Sequence, residues 1–244
     1  MKRSGVTLIE VMIAVSLLSL LSLGILMALR VGVGALDRTN RRLMNNRRVA
    51  GTERILEEQL AGFMPVVALA SPSPGARLKV PFFEGREQAM RFVSSYSLSE
   101  ASRGIAQVLE FQVIPGEEGR GVRLVVNENP YTGPLSAGVF CLGPGADPEL
   151  GVSTQRFLPI SIGPTSFVLA DRLAFCRFSF LGVVPNKNVE QWLPNWIYPR
   201  WPTGIRIEMA SLDTDLVSLK PVTITAPVRV TRDPDFEYAD NEPQ

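Results

Sequence analysis

Gly5-Val6-Thr7-Leu8-Ile9-Glu10 opens the stretch that decides the fold, and the chain then stays apolar as VTLIEVMIAVSLLSLLSLGILMAL from Val6 to Leu29. Glu10 is the single ionisable side chain in that run. As a helix the run rises about 36 Å, enough to cross a bilayer core of about 30 Å. Upstream, Met1 to Gly5 reads MKRSG, which is short, polar and basic. A secretory signal would have a shorter apolar core followed by a small-residue cleavage site. Ala28 could supply half of one, but Leu26 and Arg30 fit poorly. A carboxylate inside an apolar membrane helix costs at least about 2.5 kcal/mol at its centre and less near its end. Glu10 therefore either reaches the headgroups or answers a partner.

This arrangement resembles the type IV pilin and pseudopilin leader. Lys2 and Arg3, then Gly5, one hydrophobic residue, Thr7-Leu8-Ile9-Glu10 and a long apolar helix all coincide. The resemblance implies that a membrane prepilin peptidase cuts between Gly5 and Val6 on the cytoplasmic side. Val6 then becomes the N-methylated first residue, although the family usually has phenylalanine there. It also implies a partner for Glu10, the new α-amino group of Val6 on a neighbouring subunit, since a buried ammonium–carboxylate pair is tolerable where a lone carboxylate is not. Lys2 and Arg3 favour a cytoplasmic N-terminus. Arg30, Arg38, Arg41, Arg42, Arg47 and Arg48 beyond the run argue the other way by count. Processing requires Gly5 in the cytoplasm, and that sets the expected orientation: a single pass through the bacterial inner membrane, with the head periplasmic.

The rest of the composition narrows the function classes. The chain has 244 residues, a formal net charge of +1, two cysteines and no histidine. Histidine-based acid/base chemistry, Ser-His triads and His-ligated metals are thereby removed. With no nucleophile motif or phosphate loop either, an enzyme is not expected, nor is a cofactor or a metal. The acidic residues Asp233, Asp235 and Glu237 lack the EF-hand spacing and its glycine. Cys141 and Cys176 are far from any CxxC spacing. They allow a disulfide if the head is extracytoplasmic, or serve as small buried hydrophobes. The arginine cluster beyond the membrane run has no interleaved aromatics, so no nucleic-acid partner is expected. It can face solvent, lipid phosphates or carboxylates on a partner.

No proline precedes Pro65, so one long helix is expected from Val6 to about Met64. Val49, Leu56, Leu60 and Phe63 form an apolar stripe that can pack on the chain's own head. Val33, Leu36, Leu43 and Ala50 form another, which can face neighbouring subunits or share the same core. Residues 65–79 read as a linker or loop with SPSPG at Ser71–Gly75. Strand-like segments follow at Gln88–Ser94, Ala106–Ile114, Gly121–Asn127, Ala137–Leu142, Ser166–Leu181, Gly204–Ala210 and Pro221–Thr231. Ile205, Ile207 and Met209 alternate with Arg206 and Glu208, the pattern of a half-buried antiparallel strand. Pro227 marks the last strand as an edge. The expected fold is α+β: a long N-terminal helix on a mainly antiparallel β head. Its parts are a leader over 1–5, a transmembrane half-helix over 6–29, an amphipathic half over 30–64, a head over 65–232 and an acidic tail over 233–244.

Trp192, Trp196 and Trp201 lie in a proline-rich stretch, where they either staple a loop to the sheet or present a contact surface. Leu173 to Phe180, then Trp192 and Trp196, then Arg200 to Ile207 more loosely resemble the J-type minor pseudopilins of type II secretion and the related W-type minor pilins of type IV pili. That resemblance implies a minor subunit at or near a filament tip that helps to initiate assembly. Its partners would be other pilin or pseudopilin subunits, an inner-membrane assembly platform and membrane lipid. The alternative is a pilus-tip binding module, an adhesin or a DNA-uptake subunit.

Overall fold

The computed structural model describes residues 8–73, 76–100, 102–147, 151–184, 189–212 and 221–229, with backbone alone over 34–50, 72–73, 76 and 102. The chain divides into two units, Met1–Arg48 and Val49–Gln244. Helix α1 (Leu8–Ala61) supplies the first and begins the second.

In the first unit, Leu8–Val33 is long and apolar enough to cross a membrane, and its side chains are exposed. The hydroxyls inside it are satisfied locally. Ser16 Oγ donates to the Met12 carbonyl at 2.7 Å and Ser19 Oγ to the Val15 carbonyl at 2.8 Å, so neither needs water. The apolar segment extends past Leu29 to Val33 and takes in Arg30, whose long stem can carry its charge to the headgroups.

The second unit starts with the last turns of α1. Leu56 and Leu60 are buried in the main core, as the stripe through Val49 and Phe63 predicts for the head-packed face. Thr52 Oγ1 donates to the Leu169 carbonyl at 2.6 Å. The helix stops at Ala61, earlier than Pro65 would require. Gly62 follows it, closely packed: a Cβ there would lie 2.5 Å from Ser94 Oγ, so a larger residue would require that side chain to move. The Gly62 carbonyl accepts from the Ser95 N–H at 2.8 Å, which starts a strand.

The strands are β1 (Phe63–Met64), β2 (Val67–Ser73), β3 (Ala76–Pro81), β4 (Glu84–Arg86), β5 (Ala89–Ser97), β6 (Ser102–Pro115) and β7 (Val122–Pro130). A short helix α2 (Pro134–Gly138) follows. Then come β8 (Cys141–Ala146), β9 (Ser153–Phe157), β10 (Phe167–Val184), β11 (Val189–Leu193), β12 (Gly204–Ser211) and β13 (Val222–Pro227). Among the described residues, nine strands form one antiparallel sheet ordered β1-β5-β6-β7-β10-β12-β13, with β4 beside β5 and β11 beside β10. The pairs β2–β3 and β8–β9 are separate hairpins. The fold is α+β with a long N-terminal helix, as the sequence predicts.

Two expectations are corrected. Residues 65–79 are not a linker, since they contain β2 and begin β3. Their prolines are tolerated because this ribbon stands outside the main sheet, while Ala68 and Ala70 are buried. Ala137–Leu142 is not one strand. Pro134, pre-set at the helical φ, starts α2, and the strand begins only at Cys141.

Strand alternation gives the sheet two faces. Met90 and Phe92 of β5, Leu109 and Phe111 of β6, Phe178 and Phe180 of β10 and Ile205 and Ile207 of β12 share a core with Leu56 and Leu60. Phe92 stacks on Phe111 with centroids 5.7 Å apart. Their strand neighbours Val93 and Val108 turn to the opposite face, under Ala68, Ala70, Phe82, Ala137 and Cys141. Gly138 lets α2 sit on β2, since a Cβ would lie 2.0 Å from the Leu69 carbonyl oxygen.

Candidate functional site

Gly5 and Val6, the predicted processing residues, lie outside the described residues. So does the tail over 233–244. Glu10 is described. It lies near the start of the described part of α1. Val11, Ala14, Val15 and Leu18 border it in a shallow groove along the helix. These residues recur one and two turns on, so the carboxylate heads an apolar stripe broken only by the small Ala14. The arrangement can receive a second apolar helix and offer that helix a charge at one fixed height.

The other sequence-predicted site residues do not join Glu10. Cys141 and Cys176 are both free and both buried. Cys176 belongs to the core on the helix side of the sheet and Cys141 to the core on the opposite side. The sheet stands between them, so the disulfide allowed by the sequence is not formed. Burial pushes each thiol up to about 12, which makes both behave as small hydrophobes.

The tryptophans do not form a common surface either. Trp196 and Trp201 are buried in the main core. The Trp196 indole N–H donates to the Arg200 carbonyl at 2.5 Å, and its backbone N–H donates to the Gly85 carbonyl at 2.8 Å. These two rings therefore anchor the loop after β11. Trp192 alone is half-exposed, and the Arg206 guanidinium covers it 3.9 Å from the ring centroid.

A cluster that sequence reading missed lies on the second face. Arg91 is fully buried. Its guanidinium donates to Glu84 at 2.5 Å, to Glu110 at 2.8 Å and to the Leu158 carbonyl at 2.8 Å. Phe140 and Phe157 bracket it at 5.4 and 5.5 Å. Asn127 and Asn129 donate to the other Glu110 oxygen, at 3.1 and 3.3 Å. Arg86 pairs with Asp147 and lies 3.7 Å from Glu84. Burial pushes the Glu84 carboxyl above its ordinary range, against the pull of Arg91 and Arg86. The available signal was charge at apolar positions. Arg91 stands between Met90 and Phe92, Glu110 between Leu109 and Phe111, and the β5–β6 register sets the two opposite each other.

Residues 1–26 match the family model of the prokaryotic N-terminal methylation motif. No curated protein matches the chain. The motif covers the leader and most of the apolar segment that can cross a membrane, and it supports a type IV pilin-like prepilin leader. A leader of that kind implies processing by a prepilin peptidase and assembly with other pilin subunits.

Proposed function

We propose that the chain is a structural minor subunit of a pilin-like filament. It is cut between Gly5 and Val6, methylated at Val6, and held in the bacterial inner membrane by Leu8–Val33. Its N-terminus is cytoplasmic and its β head periplasmic. It enters the filament through an assembly platform and by contact with other subunits. The methylation motif over 1–26 carries this reading. A physical argument supports it too: cleavage after Gly5 would put the new amine of Val6 four residues before Glu10, a rise of about 6 Å in a helix.

The finer assignment is to a subunit like the J-type minor pseudopilins of type II secretion or the W-type minor pilins, placed at or near the tip and helping to start assembly. In its support, the segments of the looser resemblance meet in one core. Phe178 and Phe180 pair with Ile207 and Ile205, and Trp196 and Trp201 pack beside them. The burial of those two rings removes them from the exposed aromatic or basic patch that a tip binding module would need.

Replacing Gly5 by a bulky residue tests the core of the reading, because the peptidase must approach the backbone closely there. Intact-mass measurement on membrane-extracted protein is expected to show a wild-type chain that begins at a methylated Val6, and a Gly5 variant that keeps Met1–Gly5. A wild-type mass that still includes Met1–Gly5, in cells with an active peptidase, overturns it.

A further inference from the structure

The second face of the sheet is covered over only part of its width. The core on that face draws on β5, β6, α2 and the two hairpins, and no described residue of β10, β12 or β13 belongs to it. Ile205 and Ile207 turn into the other core, so Arg206 and Glu208 lie on the uncovered side. Across β13 they stand level with Thr225 and Thr223, both exposed.

The two arginines of this side differ in what answers them. Arg177 stands opposite Glu208 and donates to both its oxygens, at 3.0 and 3.4 Å. Glu208 is thereby turned from Arg206, and Thr225, opposite Arg206 on β13, carries no charge. Glu190, two residues along β11 from Trp192, does not pair with Arg206 either. Arg206 has no ion pair among the described residues, and its Nε is closed off from solvent without an acceptor.

Trp192 holds this arginine in place. Its ring lies against Gly204, where a Cβ would be 3.3 Å from it. The Arg206 guanidinium stacks on that ring, 3.9 Å from the centroid. Stacking fixes the planar fork in one orientation and strips part of its water, which lowers the cost of meeting a carboxylate. The surrounding strand surface is exposed, with Arg177 and Phe175 on β10 beside it. Small molecules favour concave sites, whereas tryptophan and arginine are the residues on which protein contacts concentrate.

We propose that Arg206, seated on Trp192, anchors a carboxylate side chain of another protein to this open face. The full-length protein in detergent, labelled with fluorotryptophan, reports on Trp192 by fluorine NMR, the signal being assigned by Trp192→Phe. The probes are N-acetyl-glutamate methylamide and its neutral glutamine counterpart. The Trp192 signal is expected to shift saturably with the glutamate derivative, less so as salt is raised, and not with the glutamine one. Arg206→Gln is expected to weaken binding at least about tenfold, the scale of one charge-assisted contact. Thr225→Glu sets a carboxylate opposite Arg206 in the β12–β13 register. It is expected to fill the anchor and abolish the shift, while Thr225→Gln preserves it, so the test stands even if Arg206→Gln proves unstable. The acidic residues 233–244 of this chain are the other source of carboxylates. Deleting them is expected to leave the Trp192 signal and the binding unchanged. A signal that moves on deletion, and is restored by the glutamate derivative, overturns the assignment to another protein. No response to the glutamate derivative, an equal response to the glutamine one, or unaltered binding in Thr225→Glu overturns the anchor itself.

Discussion

Arg91→Met is the substitution that most sharply tests how the head is held together. Methionine keeps an unbranched stem but removes the donors to Glu84, Glu110 and the Leu158 carbonyl. It leaves both carboxylates buried without their main counter-charge. Breaking a buried pair in this way costs about 3–5 kcal/mol, a large share of the roughly 5–15 kcal/mol that stabilises an ordinary domain. The unfolded fraction should therefore rise by about a hundred- to several-thousand-fold. The buried thiols supply the assay. Cys141 lies on the Arg91 side of the sheet and Cys176 on the helix side. Pulsed alkylation of the full-length protein in detergent, read peptide by peptide, then separates opening of one layer from global unfolding. Arg91→Met should accelerate labelling at Cys141 at least as much as at Cys176. Adding Glu84→Gln and Glu110→Gln to Arg91→Met should recover part of the loss, because no buried charge is then left alone. Wild-type labelling rates in Arg91→Met would refute the reasoning. A triple variant less stable than the single one would show that the loss comes from packing and not from charge.

The remaining consequences concern the thiols and the helix. Under native conditions neither Cys141 nor Cys176 should alkylate, since both are buried with thiols pushed up to about 12. In denaturant without reductant both should react, and a pair that stays unreactive until reduced would contradict the placement of the sheet between them. Leu56→Ala should destabilise the head by about 2–5 kcal/mol, because Leu56 is fully buried in its core. Leu20→Ala, on the exposed apolar segment, should leave the head's denaturation midpoint unchanged. Equal effects of the two would contradict the head-packing role of the last turns of α1.

The parts of the fold that were legible in sequence are those with a local cause. The apolar run, the absence of proline and the alternation of Ile205, Ile207 and Met209 each act within a few residues, and the body of α1 and strand β12 fell where those signals placed them. The helix ends at Ala61, a few residues before the expected Met64, where Gly62 begins the pairing with β5. The β2–β3 hairpin was hidden by prolines, which rule out a central strand but not a ribbon outside the sheet. The Arg91 cluster needed the β5–β6 register before its charges could be seen to meet. Trp196 and Trp201 show the same limit: their composition suits a core as well as a contact surface, and the backbone bond from Trp196 to Gly85 decides for the core. At the N-terminus the motif was fully legible, because a processing enzyme reads it as sequence.

Glu10→Gln tests the central claim most directly. Glutamine keeps the shape at the head of the apolar stripe and removes the charge that would meet the new amine of Val6 on a neighbouring subunit. The measurement is the fraction of the chain crosslinked to other subunits, divided by its abundance in the membrane. The expected result is normal insertion, cleavage after Gly5 and a folded head, with the crosslinked fraction clearly below wild type. A crosslinked fraction equal to wild type would contradict the claim that the carboxylate sets the axial position of the incoming subunit.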